Sequence, residues 1–268
     1  MRQSVAQAPL IALLTDFGLT EPYVGQMKAV LAAAAPGVPV LDLCHQVVAH
    51  DRAQAAFFLA ASLPWLPPGS VAAAVVDPGV GTERRVVLLE TDGRRILAPD
   101  NGILTLVLER PDPVQAFDAT PATPPASATF HGRDVFAPLA ARLAMGEEAS
   151  RLGRPIPPAD LHRLAGLSPI RRGASVAARV LAVDRFGNVV TSCDIAGYGR
   201  LPRSPALLAP RPLPLHPVST YAAIPAGAIG ILAGSQGYLE LAAPCASAAE
   251  LLGLRAGDAL RINLPEEA

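Results

Sequence analysis

The sequence is short of cysteine, of aromatic residues and of charge. Its 268 residues hold three cysteines, Cys44, Cys193 and Cys245, with no CxxC spacing. An odd, scattered set of this kind argues against a disulfide framework and against a structural zinc site. Charged residues make up 17% of the chain, 22 basic against 23 acidic, for a formal net charge of -1. That balance argues against a polybasic nucleic-acid binder and against a charged disordered tail. No stretch reaches the roughly 18 apolar residues, free of Pro, Gly and charge, that a membrane span requires. The opening MRQSVAQAPLIALLTDFG is interrupted by Thr15 and Asp16, too early for a signal h-region followed by a cleavage site. A cytoplasmic protein with no membrane and no nucleic-acid partner is expected.

Present in abundance are hydrophobic residues (51%), 28 prolines and 22 glycines without a regular period, a composition of many turns rather than of collagen or Pro-rich disorder. At roughly 150 residues per domain the length fits two domains or one large one. The sparse charge points to surface buried between subunits.

Short apolar strands alternate with helical periods in the first half. Leu10–Leu14, Val38–Leu43 and Ser70–Val76 read as strands, and Pro22–Ala35, Asp51–Ser62 and Phe136–Met145 as helices, the last closed by Gly146. Arg85–Glu90 and Arg95–Ala98 read as a hairpin about Asp92-Gly93. Continuous apolar strands between helices predict an α/β domain with a mostly parallel sheet. Residues 151–174, rich in Pro, Gly and Arg, read as a linker. Beyond it, Ala174–Asp184, Asn188–Ser192, Ala228–Ala233, Tyr238–Leu241 and Ala259–Asn263 are strand-like, with Pro-rich loops from Pro202 to Pro217 and a short helix over Ala246–Leu252. The expected organisation is an N-terminal α/β domain over 1–165 and a smaller C-terminal β-barrel-like domain over 174–268.

In open parallel sheets ligands bind beyond the carboxyl ends of the strands. Asp16 and Asp77 each come directly after such a strand. Asp16, in TDFG, has the chemistry to accept hydrogen bonds from the vicinal hydroxyls of a ribose, or it stabilises a turn. Asp77-Pro78-Gly79-Val80-Gly81-Thr82 leads to Arg84 and Arg85. It is neither a Walker loop nor a dinucleotide fingerprint, and it reads either as a ligand loop or as a solvated turn with an ion pair. His131-Gly132-Arg133-Asp134 precedes a helix; the histidine is a proton shuttle or orienting donor, or an ordinary loop residue beside a capping aspartate. Asp77, Arg84 and His131 together are candidates for a polar cluster around a water. His45, His50, His162 and His216 have no metal-ligand spacing, and no metal is assigned. In the second half, Asp184, Phe186 and Asn188 suit an amino acid or a base, or form a hairpin turn. Ser235, Gln236 and Tyr238 lie in a second tight turn able to grip a carboxylate. Cys44 and Trp65 read as packing residues.

LLTDFG with YVGQMK, PPGSVAAAVVDPGVGTERR, APDNGILT, TFHGRDVFAP, VDRFGNVVTS and GSQGYLELA succeed one another along nearly the whole chain. In this order they resemble the S-adenosyl-L-methionine (SAM) hydroxide adenosyltransferases, adenosine-forming SAM hydrolases related to fluorinating and chlorinating enzymes. The resemblance implies hydrolysis of SAM to adenosine and methionine by a homotrimer with sites at subunit interfaces, with SAM as substrate and no cofactor. It gives Asp16 to the ribose hydroxyls, Asp77, Arg84 and His131 to the nucleophilic water, and Asp184 and Asn188 to the amino-acid part or the sugar. Phe186 falls to the adenine and Ser235 to the methionine carboxylate, with Gln236 and Tyr238 beside it. The fluorinating relatives carry a serine where Gly132 stands and the halide users lack the DPGV carboxylate, so water is the expected nucleophile. A halide-dependent transferase and a non-catalytic SAM or adenosine binder are the alternatives. LELAAPCASA departs from the family at Pro244 and Ala246, where Asn and Gly are usual.

Overall fold

Ile11–Thr15 (β1) and Val71–Val75 (β3) are short apolar strands with every residue buried, whereas Val40–Cys44 (β2), which carries Asp42 and has no buried residue, lies at the sheet's edge. A strand covered on both faces has no polar side to alternate with, which is why the runs of β1 and β3 are continuous rather than period-two. The computed structural model describes residues 9–195 and 201–264. The chain divides into two compact units, Met1–Leu164 and Ala165–Ala268.

The first unit is built on a seven-stranded sheet. It is completed by Val86–Thr91 (β4), Arg94–Pro99 (β5), Val114–Asp118 (β6) and Arg154–Ile156 (β7), in the order β2-β1-β3-β5-β4-β6-β7. β2, β1, β3 and β5 run parallel, whereas β4, β6 and β7 extend the sheet antiparallel. The helix Tyr23–Ala34 (α1) joins β1 to β2 and Arg52–Ser62 (α2) joins β2 to β3. Asp51 caps α2, its carboxylate accepting from the N–H groups of Ala53 and Gln54, a contribution of about 1 kcal/mol. Met27 and Leu31 of α1 share one core with Ile11, Leu13, Val71 and Val75 and with Leu139 and Leu143 of the helix Ala137–Ala144. The hairpin turns at Asp92 and Gly93, both with positive φ, the two-residue form that matches the strand twist.

The stretch read as a linker is partly sheet. β7 pairs with β6 at the edge of the first sheet, and Pro155 is tolerated there because an edge strand has one side without ladder partners. Trp65 is not a packing residue: it is 77% exposed, while Leu63 and Leu66 on either side take the buried positions of that turn. Cys44 is half-buried.

In the second unit the long strand Ser175–Val183 pairs on one side with Val189–Asp194 and on the other with Ala259–Asn263, all antiparallel. Tyr238–Ala242 and Gly230–Ala233 continue beyond Val189–Asp194. The result is a nine-stranded, barrel-like sheet around its own core, which includes Val176, Val180, Leu207, Ile231, Leu241 and Ile262. The Pro-rich region read as loops contains three short strands, Ala206–Ala209, Leu213–Pro214 and His216–Pro217. They lie toward the sheet's ends, where proline costs little.

Candidate functional site

The strand order gives the first sheet a topological switch point. From β1 the chain goes to β2 on one side and then crosses to β3 on the other, so the connections diverge at the carboxyl ends of β1 and β3, where open α/β sheets bind ligands. Asp16 comes immediately after β1, and Asp77 lies two residues beyond β3.

Asp77 and Arg84 form a tight ion pair. Arg84 Nε donates to Asp77 Oδ1 at 2.9 Å and to Oδ2 at 2.7 Å, and its Nη2 reaches Oδ2 as well. The carboxylate side chain is 3% exposed and the guanidinium 9%. The same Nη2 lies 3.0 Å from His131 Nδ1, and the guanidinium also sits 5.8 Å from the Phe136 ring centroid. Close approach of two loops makes this possible. Gly81 has φ +81, and a Cβ there would fall 2.8 Å from the carbonyl oxygen of Ala128, so only glycine lets the 77–84 loop lie against the segment leading to His131. His131 opens a π-helical turn, Gly132–Phe136, that runs into Ala137–Ala144; such turns recur at functional sites.

The protonation of His131 is set by its neighbours. Burial lowers its pKa first and the positive charge of Arg84 lowers it further, against the smaller opposing pull of Asp77 and Asp134. A guanidinium only donates, so Nδ1 accepts from it and the proton of the neutral ring lies on Nε2. The cluster thus offers a fixed carboxylate, a fixed cation and a neutral imidazole N–H donor. That set can bind, orient and polarise a water molecule.

Asp16 belongs to the neighbouring strand end. Its Oδ2 accepts from the backbone N–H of His50 at 2.9 Å, and the side chain is 9% exposed. No hydrogen bond among the described residues joins it to Asp77, Arg84 or His131. The two segments meet through aromatic rings instead: Phe17, Tyr23 and Phe130 form three edge-on contacts with centroids 5.2 to 6.0 Å apart, and Gly132 packs against Phe17, Phe130 and Met27. Asp134 is not a helix cap; its carboxylate is held by Arg133 and by the N–H of Ser127.

In the second unit Asp184 shapes the turn it sits in. Oδ1 accepts from the N–H groups of Phe186 and Asn188, and Oδ2 from the Asn188 amide, all at 2.9 Å. Phe186 projects from this turn, largely exposed, and Asn188 is buried. Ser235 and Gln236 are exposed in the turn between Gly230–Ala233 and Tyr238–Ala242, and Tyr238 begins the second of these strands half-buried.

Residues that sequence patterns passed over also stand out. Asn101 is buried beyond β5 and donates from Nδ2 to the carbonyl of Val76 at 2.9 Å, bracing the backbone just before Asp77. Glu240 is buried within an apolar strand and accepts from the Tyr221 hydroxyl at 2.6 Å. Burial pushes the Glu240 carboxyl up, with Asp184 adding to the shift against the Tyr221 hydrogen bond; Tyr221 is itself pushed up to about 12, by burial first and by Glu240 next. A charged residue alternating with leucines in YLELA was the available signal. Among the described residues no group of three or more His, Cys, Asp or Glu is arranged to hold a metal ion, and no helix is long and apolar enough to cross a membrane.

Residues 11–153 match the SAM hydroxide adenosyltransferase N-terminal domain and residues 178–261 the corresponding C-terminal domain. A Thermus thermophilus protein named (R)-S-adenosyl-L-methionine hydrolase is 41% identical over 263 residues, covering 94% of this chain and 98% of the relative. A Salinispora arenicola protein of the same name is 39% identical over 97% of this chain and 99% of the relative. A fluorinase from Actinopolyspora mzabensis is more distant, at 29% over 95% of this chain and 97% of its own. Among solved structures, an uncharacterized conserved protein from Thermotoga maritima superposes with a TM-score of 0.84 at 30% identity, covering 95% of this chain and 100% of that one.

Proposed function

The chain belongs to the SAM hydroxide adenosyltransferase family, and from that premise we propose that it hydrolyses S-adenosyl-L-methionine to adenosine and L-methionine. The observation that carries this reading is the hydrogen-bonded series Asp77–Arg84–His131 at the sheet's switch point.

The reaction is a substitution at C5′ of the ribose. Methionine leaves from a sulfonium as a neutral thioether, so its departure needs no general acid. The protein's task is to hold a water or hydroxide in line with the C5′–S bond. Arg84 stabilises developing hydroxide by charge, Asp77 orients the water through an accepting lone pair or takes its proton, and His131 contributes its Nε2–H. Asp16 reads the ribose hydroxyls. Asp184, Asn188, Phe186, Ser235, Gln236 and Tyr238 serve the base and the amino-acid part. No cofactor or metal enters the proposal. A cytoplasmic homotrimer with sites at subunit interfaces completes it, supported by the family resemblance and by the low content of charge; sedimentation of the purified protein tests the oligomer.

A halide as nucleophile is disfavoured by hydrogen bonding. The Asp77 carboxylate already balances the Arg84 charge, and a halide has no proton to donate to it, whereas a water does. Gly132, moreover, offers no hydroxyl. The test is incubation of purified protein with each sulfonium epimer of SAM, with and without chloride or fluoride, and then identification of the nucleoside. Adenosine and methionine in equal amounts, independent of halide and formed preferentially from the (R) epimer named for the relatives, is the expected result. A 5′-halo-adenosine product overturns the choice of nucleophile, and bound SAM without methionine release overturns the enzymatic reading.

A further inference from the structure

We infer that His45 is a positioning residue for Asp16, setting the carboxylate that reads the ribose through the contacts the histidine makes with both neighbouring strand ends. The inference rests on the ribose-reading role of Asp16 proposed above.

His45 comes directly after β2, and its side chain is 2% exposed. Its Nδ1 lies 2.8 Å from the hydroxyl of Thr15, the last residue of β1 and the one before Asp16. Thr15 Oγ1 also accepts from the N–H of Phe17 at 3.3 Å, and the backbone carbonyl of His45 accepts from Gly18 N–H at 2.7 Å. The loop that carries Asp16 is therefore tied to His45 on both sides of the aspartate. On the far side of the ring, Nε2 is 3.0 Å from Asp42 Oδ1, and Asp42 in turn pairs with Lys28 of α1 at 2.6 Å. Burial pushes the Asp42 carboxyl up, but Lys28 and His45 outweigh it and hold it below its ordinary value.

The segment after His45 completes the arrangement. Val48 N–H donates to Gln54 Oε1 at 2.8 Å, and Asp51 caps α2. Pinned by His45 at one end and by α2 at the other, the segment presents the N–H of His50 to Asp16 Oδ2. His50 adopts a left-handed φ of 67° to do so, a conformation disfavoured for a side-chain-bearing residue. Asp16 is thus aimed by a peptide group whose own placement depends on His45.

Two other readings of the ring fail on the geometry. Asp42, His45 and Thr15 stand in the order of a nucleophile relay, but Thr15 is fully buried and meets no substrate. A role in stability alone does not account for the placement of the two ties from His45, which fall on either side of Asp16, at Thr15 and at Gly18.

The test compares kcat/KM for SAM with that for its 2′-deoxy analogue, in the wild type, His45→Gln, Thr15→Val, Asp16→Asn and the His45→Gln/Asp16→Asn double variant. A ratio of two substrates is insensitive to the fraction of enzyme folded, and Thr15→Val keeps the shape of a buried residue should His45→Gln fold poorly. Expected are a wild-type preference for the ribo substrate, loss of most of it in Asp16→Asn, about tenfold narrowing in His45→Gln or Thr15→Val through KM rather than kcat, and no further narrowing in the double variant. A wild-type ratio retained by both single variants overturns the inference while leaving Asp16 in place. A wild type without preference removes the ribose reading of Asp16, and the inference with it.

Discussion

Arg84 Nη2 and His131 Nδ1 lie 3.0 Å apart, and this one contact assigns the imidazole its part. With Nδ1 occupied by a donor, the neutral ring is left with its Nε2–H, and in the proposed reaction it acts on the water as a hydrogen-bond donor.

Burial and Arg84 hold the His131 pKa below its ordinary 6.5, so activity is expected to stay level as pH falls to 6.5 and to decline only as it passes through the lowered value. Stability has the same sign. Between the two pKa values the unfolded chain binds more protons than the native one, so the contribution is whole above 6.5 and is lost as pH falls through the folded value. Titration of the His131 ring protons by NMR reads the shift directly. In Arg84→Met the pKa should move upward toward 6.5; an unchanged titration would show that the guanidinium does not act on the ring.

Asp77→Asn should lower turnover by about two to four orders of magnitude and leave SAM binding within a few-fold. The amide keeps the volume of the carboxylate but presents the Arg84 guanidinium with no negative charge. Breaking a buried pair of this kind destabilises by roughly 3 kcal/mol, so a melting measurement accompanies the assay. Adenosine release measured by chromatography and binding measured by calorimetry separate the two effects. Wild-type turnover in the variant would remove Asp77 from the mechanism.

The division between legible and illegible residues has a physical origin. The positions of Asp16 and Asp77 at strand ends are legible because fully apolar strands announce their own ends, and open sheets of this kind bind ligands beyond those ends. The Asp77–Arg84 pairing is legible because the carboxylate and the guanidinium stand only seven positions apart in one loop. His45 and Asn101 are not, since each acts on backbone or side chains 25 or more positions away, a distance that no local period encodes. β7 was missed because its Arg-Pro-Ile sequence has the composition of a loop, and only pairing with β6 makes it a strand. The resemblance to the family supplied roles that the local chemistry left open between a turn and a site.

Gly132→Ser is expected to damage the site without bringing halide use. A Cβ at this position would lie 3.0 Å from Phe17 Cε2, 3.1 Å from Met27 Sδ and 3.2 Å from Phe130 Cε2, each tighter than ordinary packing. The aromatic rings that join the Asp16 and His131 segments must give way, at a cost of about 1–3 kcal/mol. The Asp77 carboxylate still asks its neighbour for a proton, which a halide cannot donate. A lower melting temperature, slower adenosine formation and no halogenated nucleoside in fluoride or chloride are the expected readings. Appearance of 5′-fluoro- or 5′-chloro-adenosine would show that the missing hydroxyl, and not the carboxylate, decides the nucleophile.

Asn101→Asp tests whether Asp77 is aimed from behind. The Asn101 side chain donates from Nδ2 to the Val76 carbonyl at 2.9 Å and accepts from Ile103 N–H at 3.2 Å, while Arg52 holds the Asn101 carbonyl at 3.0 Å. Aspartate preserves the acceptor for Ile103 but sets an oxygen against the Val76 carbonyl, leaving a buried acceptor unsatisfied at a cost of about 1–3 kcal/mol. Relief requires the Val76–Asp77 backbone to shift, and with it the carboxylate proposed to orient the water. A displacement near 1 Å lowers turnover by roughly 100-fold, whereas Asp16, proposed to read the ribose, lies on the adjacent strand end and is left alone. The variant should therefore lose kcat while its KM for SAM changes by less than about threefold. The melting temperature should fall by about 2–4 °C for each kcal/mol lost. A fall in melting temperature with kcat unchanged would make Asn101 a structural residue only and would leave the aim of Asp77 to Arg84.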